Sequence, residues 1–430
     1  NGMCALTSAG VSYTPTSTVV DSGSFNGDFI ANKDGANAME GENTVEGALV
    51  YDGDLGGVGI KASVVGLYGQ LKNAASADLA SARQRTLVQA MTFEADAAGL
   101  AVAAAIEASP AATKHVLVDD YSRNVINDTM LPLPFRPASV LAEAKATLAM
   151  FDRLCAAGID VHVTNPVLGH PLRYPLRNHK KLLVMDDVSY IGGINFSDHN
   201  FAWHDLMLRI ESPAIADFLA RDFMNDRAGQ PTGVVGQFGD VELVCLDGDT
   251  NDRLMQPLID LAANARTSVE MISAYPTMPF VGALARAARQ GAKVTIYTPA
   301  PNNKPVIRDY LSGVAEPAGI ALRLLPDMTH AKALLIDGET LLLGSSNFNF
   351  ASHRTSSDIV AVVRDRALIA EFEARLLGPA REAGFPACDA RIARWRQLRA
   401  RAALKIADAA LARVRHGPVR SIAWQDLARR

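Results

Sequence analysis

Apolar residues recur along the chain in short runs that end at turn residues and in longer stretches with helical spacing. The short runs predict strands at residues 86–92, 115–118, 268–274 and 293–298. The longer stretches predict helices at residues 100–108, 254–264 and 280–290. Because strands that alternate with helices pack as helix-covered sheets, this order predicts an α/β fold.

The predicted elements occur in two series. An apolar run that ends in an Asp-Gly turn opens each series, first at residues 45–54 and again at residues 241–249. The duplication predicts two pseudo-symmetric α/β halves, each a mixed, mostly parallel sheet flanked by helices, with an active site at their interface. The sequence divides into an unassigned N-terminal segment (residues 1–40), the first half (41–229), the second half (230–386) and a basic helical tail (387–430).

Each half contains one copy of the motif His-x-Lys-x4-Asp. The copies are His179, Lys181 and Asp186 in the first half, and His330, Lys332 and Asp337 in the second. In a strand, alternate side chains share a face, so the histidine and the lysine of each copy project together. The motif aspartates lie on the opposite face, and we expect them to hold a turn by hydrogen bonds. A single match is often an exposed strand, but two copies at one place of a repeat indicate a functional site.

A turn of small residues and a later carboxylate follow each motif. The turns are Gly192-Gly193-Ile194-Asn195 and Gly344-Ser345-Ser346-Asn347. Small residues such as Gly193, Gly344 and Ser346 let the backbone approach a ligand closely. The carboxylates are Asp205 and Asp358, 26 and 28 residues after the motif histidines. We therefore expect both features to support the two motifs.

These residue types suit a reaction at phosphorus. A neutral imidazole is a nucleophile and a general acid–base near pH 7. The motif lysines and the amides of Asn195 and Asn347 can hold phosphoryl oxygens, and Asp205 and Asp358 can fix the tautomers of the histidines. A phosphodiester needs a nucleophile on one side and an acid on the other, so the two copies together predict one active site.

At these motifs the sequence resembles the phospholipase D superfamily, over about residues 41–386. Within this superfamily, the apolar runs that open the two series and residues 205–214 most resemble the branch of cardiolipin synthases and phosphatidylserine synthases. The resemblance implies a two-step reaction on a phospholipid, without metal or other cofactor, through a phosphohistidine. We assign His179 as the nucleophile and His330 as the acid–base, although near-symmetric copies leave the reverse assignment open. Hydrolysis and transfer to an alcohol both fit the motifs.

Two alternative functions are weighed against this one. A nuclease of the same superfamily would use the same chemistry on nucleic acid, but it needs a basic groove. The chain has a net charge of −4, and its residues 389–430, with eleven Lys/Arg and three acids, carry +8, which leaves −12 for the rest. Nucleic acid is therefore the less favoured substrate. A catalytically silent scaffold is disfavoured further, because both motifs are complete.

The basic tail predicts an amphipathic helix over residues 391–415, before a break at Gly417-Pro418. Such a helix either lies on an anionic membrane surface, with Trp395 as an anchor, or packs on the body of the protein by its apolar side. We favour packing.

The remaining features concern the compartment. No apolar run approaches the roughly 18–20 residues that span a bilayer, and the start lacks the pattern of a signal peptide. The four cysteines are far apart and predict no zinc site, and they fit a reducing compartment. The sequence predicts a cytoplasmic protein without an obligate protein partner, and its tail is the candidate for peripheral contact with a membrane.

Overall fold

The computed structural model describes residues 51–55, 58–66, 68–131, 135–387 and 392–429. The unassigned segment 1–40 and residues 41–50, which begin the first half, lie outside the described residues. Of the four cysteines, Cys155 and Cys245 are described, and both are free thiols.

The first half contains ten strands and six helices among its described residues. They are β1 (Tyr51–Leu55), β2 (Val58–Gly66), α1 (Tyr68–Ser81), β3 (Arg85–Ala90), α2 (Ala97–Ala108), β4 (Thr113–Asp119), α3 (Tyr121–Asn124), β5 (Val125–Ile126), β6 (Thr129–Met130), α4 (Ala138–Ala156), β7 (Asp160–Thr164), β8 (Leu182–Met185), β9 (Val188–Gly192), α5 (Asp198–Ala202), β10 (Leu206–Glu211) and α6 (Pro213–Arg227).

The second half repeats this plan with shorter connections. Its elements are β11 (Val234–Phe238), β12 (Val241–Cys245), α7 (Asn251–Ala263), β13 (Ser268–Ile272), α8 (Phe280–Arg289), β14 (Lys293–Pro299), α9 (Pro305–Val314), β15 (Ala321–Leu325), β16 (Ala333–Ile336), β17 (Thr340–Gly344), α10 (Phe350–Arg354), β18 (Ile359–Val363), α11 (Arg366–Phe372), α12 (Gly378–Ala383) and β19 (Phe385–Pro386). The tail adds α13 (Arg394–Leu411), β20 (Ser421–Ala423) and α14 (Trp424–Ala428). Every predicted helix and strand is present, with ends that shift by a few residues.

The two large sheets have the same strand order. The first runs β1-β2-β10-β9-β8-β3-β4-β7-β20, and the second runs β11-β12-β18-β17-β16-β13-β14-β15-β19. The predicted α/β class with two mixed sheets is confirmed, but the expected predominance of parallel strands is wrong. Only β3-β4-β7 and β13-β14-β15 are parallel. The strands after each motif, such as β8 and β9, are joined by tight turns, and a tight turn can join only antiparallel neighbours.

The tail is not only helical, which corrects the sequence prediction. After α13 the chain returns to the first half, where β20 pairs with the edge strand β7. The α14 helix then anchors this strand, because the indole N–H of Trp424 donates to Asp152 of α4 at 2.7 Å. In the second sheet the same edge position is filled by β19, which follows α12 directly. The C-terminus therefore supplies the ninth strand of the first sheet.

The α13 helix packs on the second half, as favoured from the sequence. Its inward side buries Ala400 and Leu404. Two ion pairs fix it: Arg396 binds Asp309 of α9 through two hydrogen bonds of 2.9 and 3.1 Å, and Asp408 binds Arg354 of α10. The tail thus connects the two halves, since α13 lies on one and β20 on the other.

Side chains from both sheets meet in one shared hydrophobic cluster. It includes Leu208 and Ile210 of β10 together with Leu243 of β12 and Ala361 of β18, all almost completely buried. Because each sheet has one face in this cluster, the interface between the halves is part of the core. The motif strands β8 and β16 both contribute to it.

A buried ionic cluster lies beside this shared core. Lys180 is fully buried, and its ammonium binds Asp222 of α6 at 2.7 and 2.8 Å and Asp226 at 3.1 Å. Asp226 also accepts hydrogen bonds from Gln89 and Asn178 at 2.8 Å. Burial raises the pKa of Asp222 to about 6 although Lys180 opposes the shift. The second motif has Ala331 at the position of Lys180, so this cluster is a feature of one half only.

Replacement of Lys180 by Met should lower the free energy of unfolding by about 3–5 kcal/mol, because two carboxylates would stay buried without their cation. Urea denaturation measures this change. Lys145→Met, at an exposed position of α4, is the control and should change stability by less than about 0.5 kcal/mol. A Lys180→Met protein as stable as the wild type would contradict a structural role for the cluster.

Candidate active site

The motif histidines lie directly before strands rather than within them. Residues 179–181 precede β8 and residues 330–332 precede β16. The backbone N–H of His179 donates to the carbonyl of Ser357 at 2.7 Å, and that of His330 donates to the carbonyl of His204 at 2.7 Å. Each motif is therefore fastened to the segment of the other half that carries the downstream aspartate.

The histidine–carboxylate pairs cross between the halves. Nδ1 of His179 lies 2.9 Å from Oδ1 of Asp358, and Nδ1 of His330 lies 2.7 Å from Oδ2 of Asp205. Since an ionised carboxylate can only accept, each Nδ1 carries the proton and each Nε2 presents a lone pair. All four residues are at most 9% exposed. The arrangement leaves two nucleophilic nitrogens in one buried site.

The motif lysines lie at the bottom of the same site and are almost fully buried. The ammonium of Lys181 donates to the carbonyl of His179 at 2.7 Å, and that of Lys332 donates to the carbonyl of His330. Lys332 also lies 3.8 Å from Oδ2 of Asp205. A lysine has three donors, so each ammonium keeps N–H groups for a ligand oxygen.

Burial and mutual repulsion shift the pKa values of the site. Burial, and then the neighbouring Lys181, lower the pKa of His179 to about 4. Burial and Lys332 lower the pKa of His330 to about 3. Burial and Lys332 lower the pKa of Lys181 to about 7, and burial lowers that of Lys332 to about 8. Both imidazoles are thus neutral at pH 7, and both lysines would gain from an anion in the site.

The two aspartates stay ionised in spite of their burial. Burial alone would raise the pKa of Asp205, but Lys332 and His330 outweigh it and hold this pKa below its usual value. For Asp358, His179 and the hydroxyl of Ser345 have the same effect. Each carboxylate can therefore support a positive charge on its imidazole.

The small-residue turns make room for these carboxylates in two different ways. A Cβ atom at Gly193 would lie 2.2 Å from Oδ1 of Asp205, so only glycine fits there. At the same position of the second half, the hydroxyl of Ser345 donates to Oδ1 of Asp358 at 2.6 Å. A Cβ at Gly344 would lie 2.1 Å from the carbonyl oxygen of Ile359. Ser345 was not among the predicted site residues, because it is one of two serines in its turn; the neighbouring Ser346 lies close to the N–H of Phe348 instead.

The two predicted asparagines differ in their surroundings. The amide of Asn195 is buried and already engaged, since it donates to Asn200 at 3.2 Å and accepts from the N–H of Thr92 at 3.3 Å. The side-chain oxygen of Asn347 is buried and has no hydrogen-bond partner among the described residues. This free group is an acceptor, whereas a phosphoryl oxygen needs a donor, so the contact of Asn347 with phosphate stays a prediction.

The motif aspartates lie at the far ends of β8 and β16 from the histidines. The carboxylate of Asp186 accepts hydrogen bonds from the N–H groups of residues 83, 84 and 85, at 2.7 to 2.9 Å. Asp337 binds residues 266, 267 and 268 in the same way. Both have positive φ angles, 49° and 53°. These contacts fit the predicted structural role and place both carboxylates outside the site.

Of the two motif histidines, only His330 has aromatic rings packed against it among the described residues. The rings of Trp203 and Tyr275 lie 5.4 and 6.0 Å from the ring of His330, between centroids. On the outer side of Tyr275, the ammonium of Lys304 lies 4.2 Å from the ring centroid. The sequence comparison of the motifs missed Tyr275 and Lys304, because they belong to the segments after β13 and β14, where the halves differ.

One group of acids could in principle hold a metal ion among the described residues: Glu94, Asp96 and Glu143. Burial raises the pKa of Glu94 to about 8, and Asp96 accepts hydrogen bonds from the N–H groups of Gly99 and Asp198. A protonated, internally bonded group is a poor cation ligand. No metal site is assigned.

Comparison with known proteins agrees with this geometry. The family model described as "Cardiolipin synthase, PLD-like domain" matches residues 76–227 and 258–377, more than half of the chain. The minor cardiolipin synthase ClsB of Bacillus subtilis is 26% identical over 249 residues, which cover 51% of this chain and 61% of that protein. A cardiolipin synthase of Listeria welshimeri is 24% identical over 238 residues, 48% of each. The matches thus span less than two thirds of these relatives' lengths.

The crystal structure of phosphatidylserine synthase from Haemophilus influenzae has the same fold. It superposes with a TM-score of 0.60 and 16% identity, and covers 76% of this chain and 87% of that one. The match to the family model, which covers more than half of the chain, together with the paired motifs places the chain in the family of cardiolipin synthase phospholipase D-like domains.

Proposed function

We propose that this protein is a phosphatidyltransferase, which moves a phosphatidyl group from a phospholipid to an acceptor alcohol through a phosphohistidine. The observation that carries the proposal is the crossed pairing of His179 with Asp358 and of His330 with Asp205. It leaves two Nε2 atoms and two lysines around one buried site, as an in-line exchange at phosphorus requires.

In the first step, Nε2 of His179 attacks the phosphorus and an N–P bond forms. The bond to the headgroup oxygen breaks, and its electron pair stays on that oxygen. His330, in its imidazolium form, donates the Nε2 proton to the leaving oxygen and becomes neutral. The negative charge of the bound phosphodiester favours this imidazolium, because it offsets the field of Lys181 and Lys332.

In the second step, the acceptor alcohol gives its proton to Nε2 of His330 while its oxygen attacks the phosphorus. The N–P bond breaks, and its electron pair returns to His179. His330 is then an imidazolium again, ready for the next cycle. Water in place of the alcohol would give hydrolysis by the same route.

A nuclease has less support. The charge of −12 outside residues 389–430 disfavours a long polyanion, and α13 pairs two of its charged side chains with the body of the protein. A silent scaffold would not need four buried ionisable side chains arranged around free imidazole nitrogens.

The substrate also requires access to a bilayer, and we propose that the outward face of α13 provides it. No helix of the described residues is long and apolar enough to cross a membrane. On α13, however, Trp395, Leu398 and Ile406 are 60%, 56% and 70% exposed. Helical spacing puts these three on the side opposite to the buried Ala400 and Leu404.

Basic residues flank this apolar face. The exposed cations are Arg394, Arg399, Arg401 and Lys405, and the guanidinium of Arg399 lies 5.1 Å from the ring centroid of Trp395. Apolar side chains bordered by arginine suit an anionic lipid surface, where the apolar groups enter the interface and the cations meet phosphate. The helix would then both pack on the protein and contact the membrane.

The purified protein should convert phospholipid vesicles and glycerol into a transfer product in the presence of EDTA, measured by mass spectrometry. His179→Ala and His330→Ala should each abolish it. If His179 is the nucleophile, the His330→Asn variant should accumulate a phosphohistidine at residue 179. A phosphohistidine at residue 330 in the His179→Asn variant would instead make His330 the nucleophile. Failure to release any product from glycerophospholipids, together with nicking of plasmid DNA in EDTA, would overturn the lipid substrate in favour of nucleic acid.

The crossed pairs predict that Asp358→Asn lowers kcat by about 1,000-fold or more, because an amide disturbs the tautomer of His179. Asp205→Asn should lower kcat by a similar factor, because its amide disturbs the tautomer of His330. Asp186→Asn is the control: it should lower the melting temperature without a comparable loss of kcat. Equal losses of kcat in the Asp186 and Asp358 variants would contradict the separation of the two roles.

The triple variant Trp395→Ala, Leu398→Ser, Ile406→Ser should bind vesicles rich in phosphatidylglycerol at least about tenfold more weakly, since each side chain loses apolar contact. Co-sedimentation measures the binding, and phosphatidylcholine vesicles show how much protein binds when no anionic lipid is present. Leu141→Ser with Leu148→Ser, at exposed positions of α4, is the matched control. Unchanged vesicle binding would refute the surface, and a change in self-association instead would identify it as an interface between copies.

A further inference from the structure

The side of the site next to His330 contains a third ammonium that the two-step reaction does not use. Lys304 ends the loop between β14 and α9, and its Nζ lies 4.2 Å from the centroid of the Tyr275 ring. The same ring lies against His330, with 6.0 Å between centroids and an interplanar angle of 68°. Lys304 is therefore one aromatic ring away from the histidine that would serve the leaving and entering alcohols.

The loop that carries Lys304 is held in place by side-chain hydrogen bonds. The amide of Asn302 donates to the carbonyl of Ala274 at 2.6 Å, and its oxygen accepts from the N–H of Lys304 at 2.8 Å. The hydroxyl of Tyr275 donates to Asn303 at 2.6 Å. The amide of Asn303 in turn donates to Asp128 of the first half at 3.0 Å. The ammonium is thus positioned by the fold and does not depend on a mobile loop.

The charge of Asp128 stabilises the ammonium of Lys304, while the packing around this ammonium lowers its pKa. Among the described residues no carboxylate forms an ion pair with Lys304, and Asn303 already binds Asp128. The residue as a whole is exposed to solvent. Its charge reaches the site, because it contributes to the lowered pKa of Lys332. A positioned cation of this kind, with an aromatic wall and no direct ion pair, suits an anionic group of a ligand.

We propose that Lys304 and the Tyr275 ring form a second anion subsite, which binds a phosphate or carboxylate group on the alcohol that enters or leaves beside His330. This subsite rests on the proposed function, since it assigns the alcohol side of the exchange to His330. It makes the protein selective for alcohols that carry a negative charge over neutral alcohols and water. The first half has Thr92 where the second has Tyr275, so the subsite exists on one side of the site only.

Glycerol and glycerol 3-phosphate test the subsite, because they share a carbon skeleton and differ by one phosphate. With a phosphatidyl donor in vesicles, the wild type should use glycerol 3-phosphate with a kcat/KM about tenfold or more above that for glycerol. Lys304→Met should bring this ratio close to one, and Lys304→Arg should keep most of the preference. Serine, which carries a carboxylate and no phosphate, is the third acceptor and shows whether the subsite also accepts a carboxylate.

The control is Lys293→Met, an exposed lysine at the opposite end of β14, which should keep the wild-type ratio. Isothermal titration of glycerol 3-phosphate into the protein measures the subsite without turnover, and Lys304→Met should weaken this binding about tenfold. A wild type that transfers to both alcohols equally, or a Lys304→Met protein that keeps the preference, overturns the subsite and leaves the transferase intact. A protein that transfers to neither alcohol but loses glycerol 3-phosphate binding on Lys304→Met keeps the subsite and overturns the proposed function.

Discussion

The crossed histidine–carboxylate pairs are the constraint on which the rest of the structure depends. Each half presents an imidazole whose carboxylate belongs to the other half. A separated half would expose its side of the shared apolar cluster to water and would leave its imidazole without a carboxylate. The halves must therefore meet face to face, and the shared apolar cluster and the tail that spans both halves stabilise that contact.

The same burial prepares the site for an anion. Lys181 and Lys332 are taken out of water and repel each other, so their pKa values fall to about 7 and 8. A phosphodiester would bring a negative charge between them, which raises the pKa of both lysines and favours the imidazolium form of one histidine. Binding and proton supply are then coupled through one electrostatic change, and this needs no group beyond the side chains of the chain itself.

The site residues that occur in both copies of the repeat could be predicted from the sequence. The histidines and lysines recur at equal spacing and the downstream aspartates at nearly equal spacing, and the structure brings all six together. Which aspartate serves which histidine could not be predicted, because spacing within a copy says nothing about contacts between copies. The excess of parallel strands was a wrong expectation for a related reason, since alternating helices dominate the pattern while the short hairpins after each motif decide most of the strand pairs. The strand at residues 421–423 is three residues long, and its partner β7 lies more than 250 residues earlier, so no local pattern identifies it.

The differences between the halves, rather than their likeness, decide how the two histidines divide their work. In a double displacement one histidine holds the phosphorus, while the other exchanges protons with two different alcohols. The two histidines therefore need unlike surroundings. Around His179 the second layer offers the hydroxyl of Ser345, which binds the same oxygen of Asp358 as the imidazole does. Around His330 it offers the rings of Trp203 and Tyr275. A hydrogen-bonded setting suits a nucleophile that must hold its orientation, and aromatic rings suit an acid–base that meets each alcohol in turn. The asymmetry of the surroundings therefore supports the proposed assignment of His179 as the nucleophile, which the near-identical motifs by themselves leave undecided.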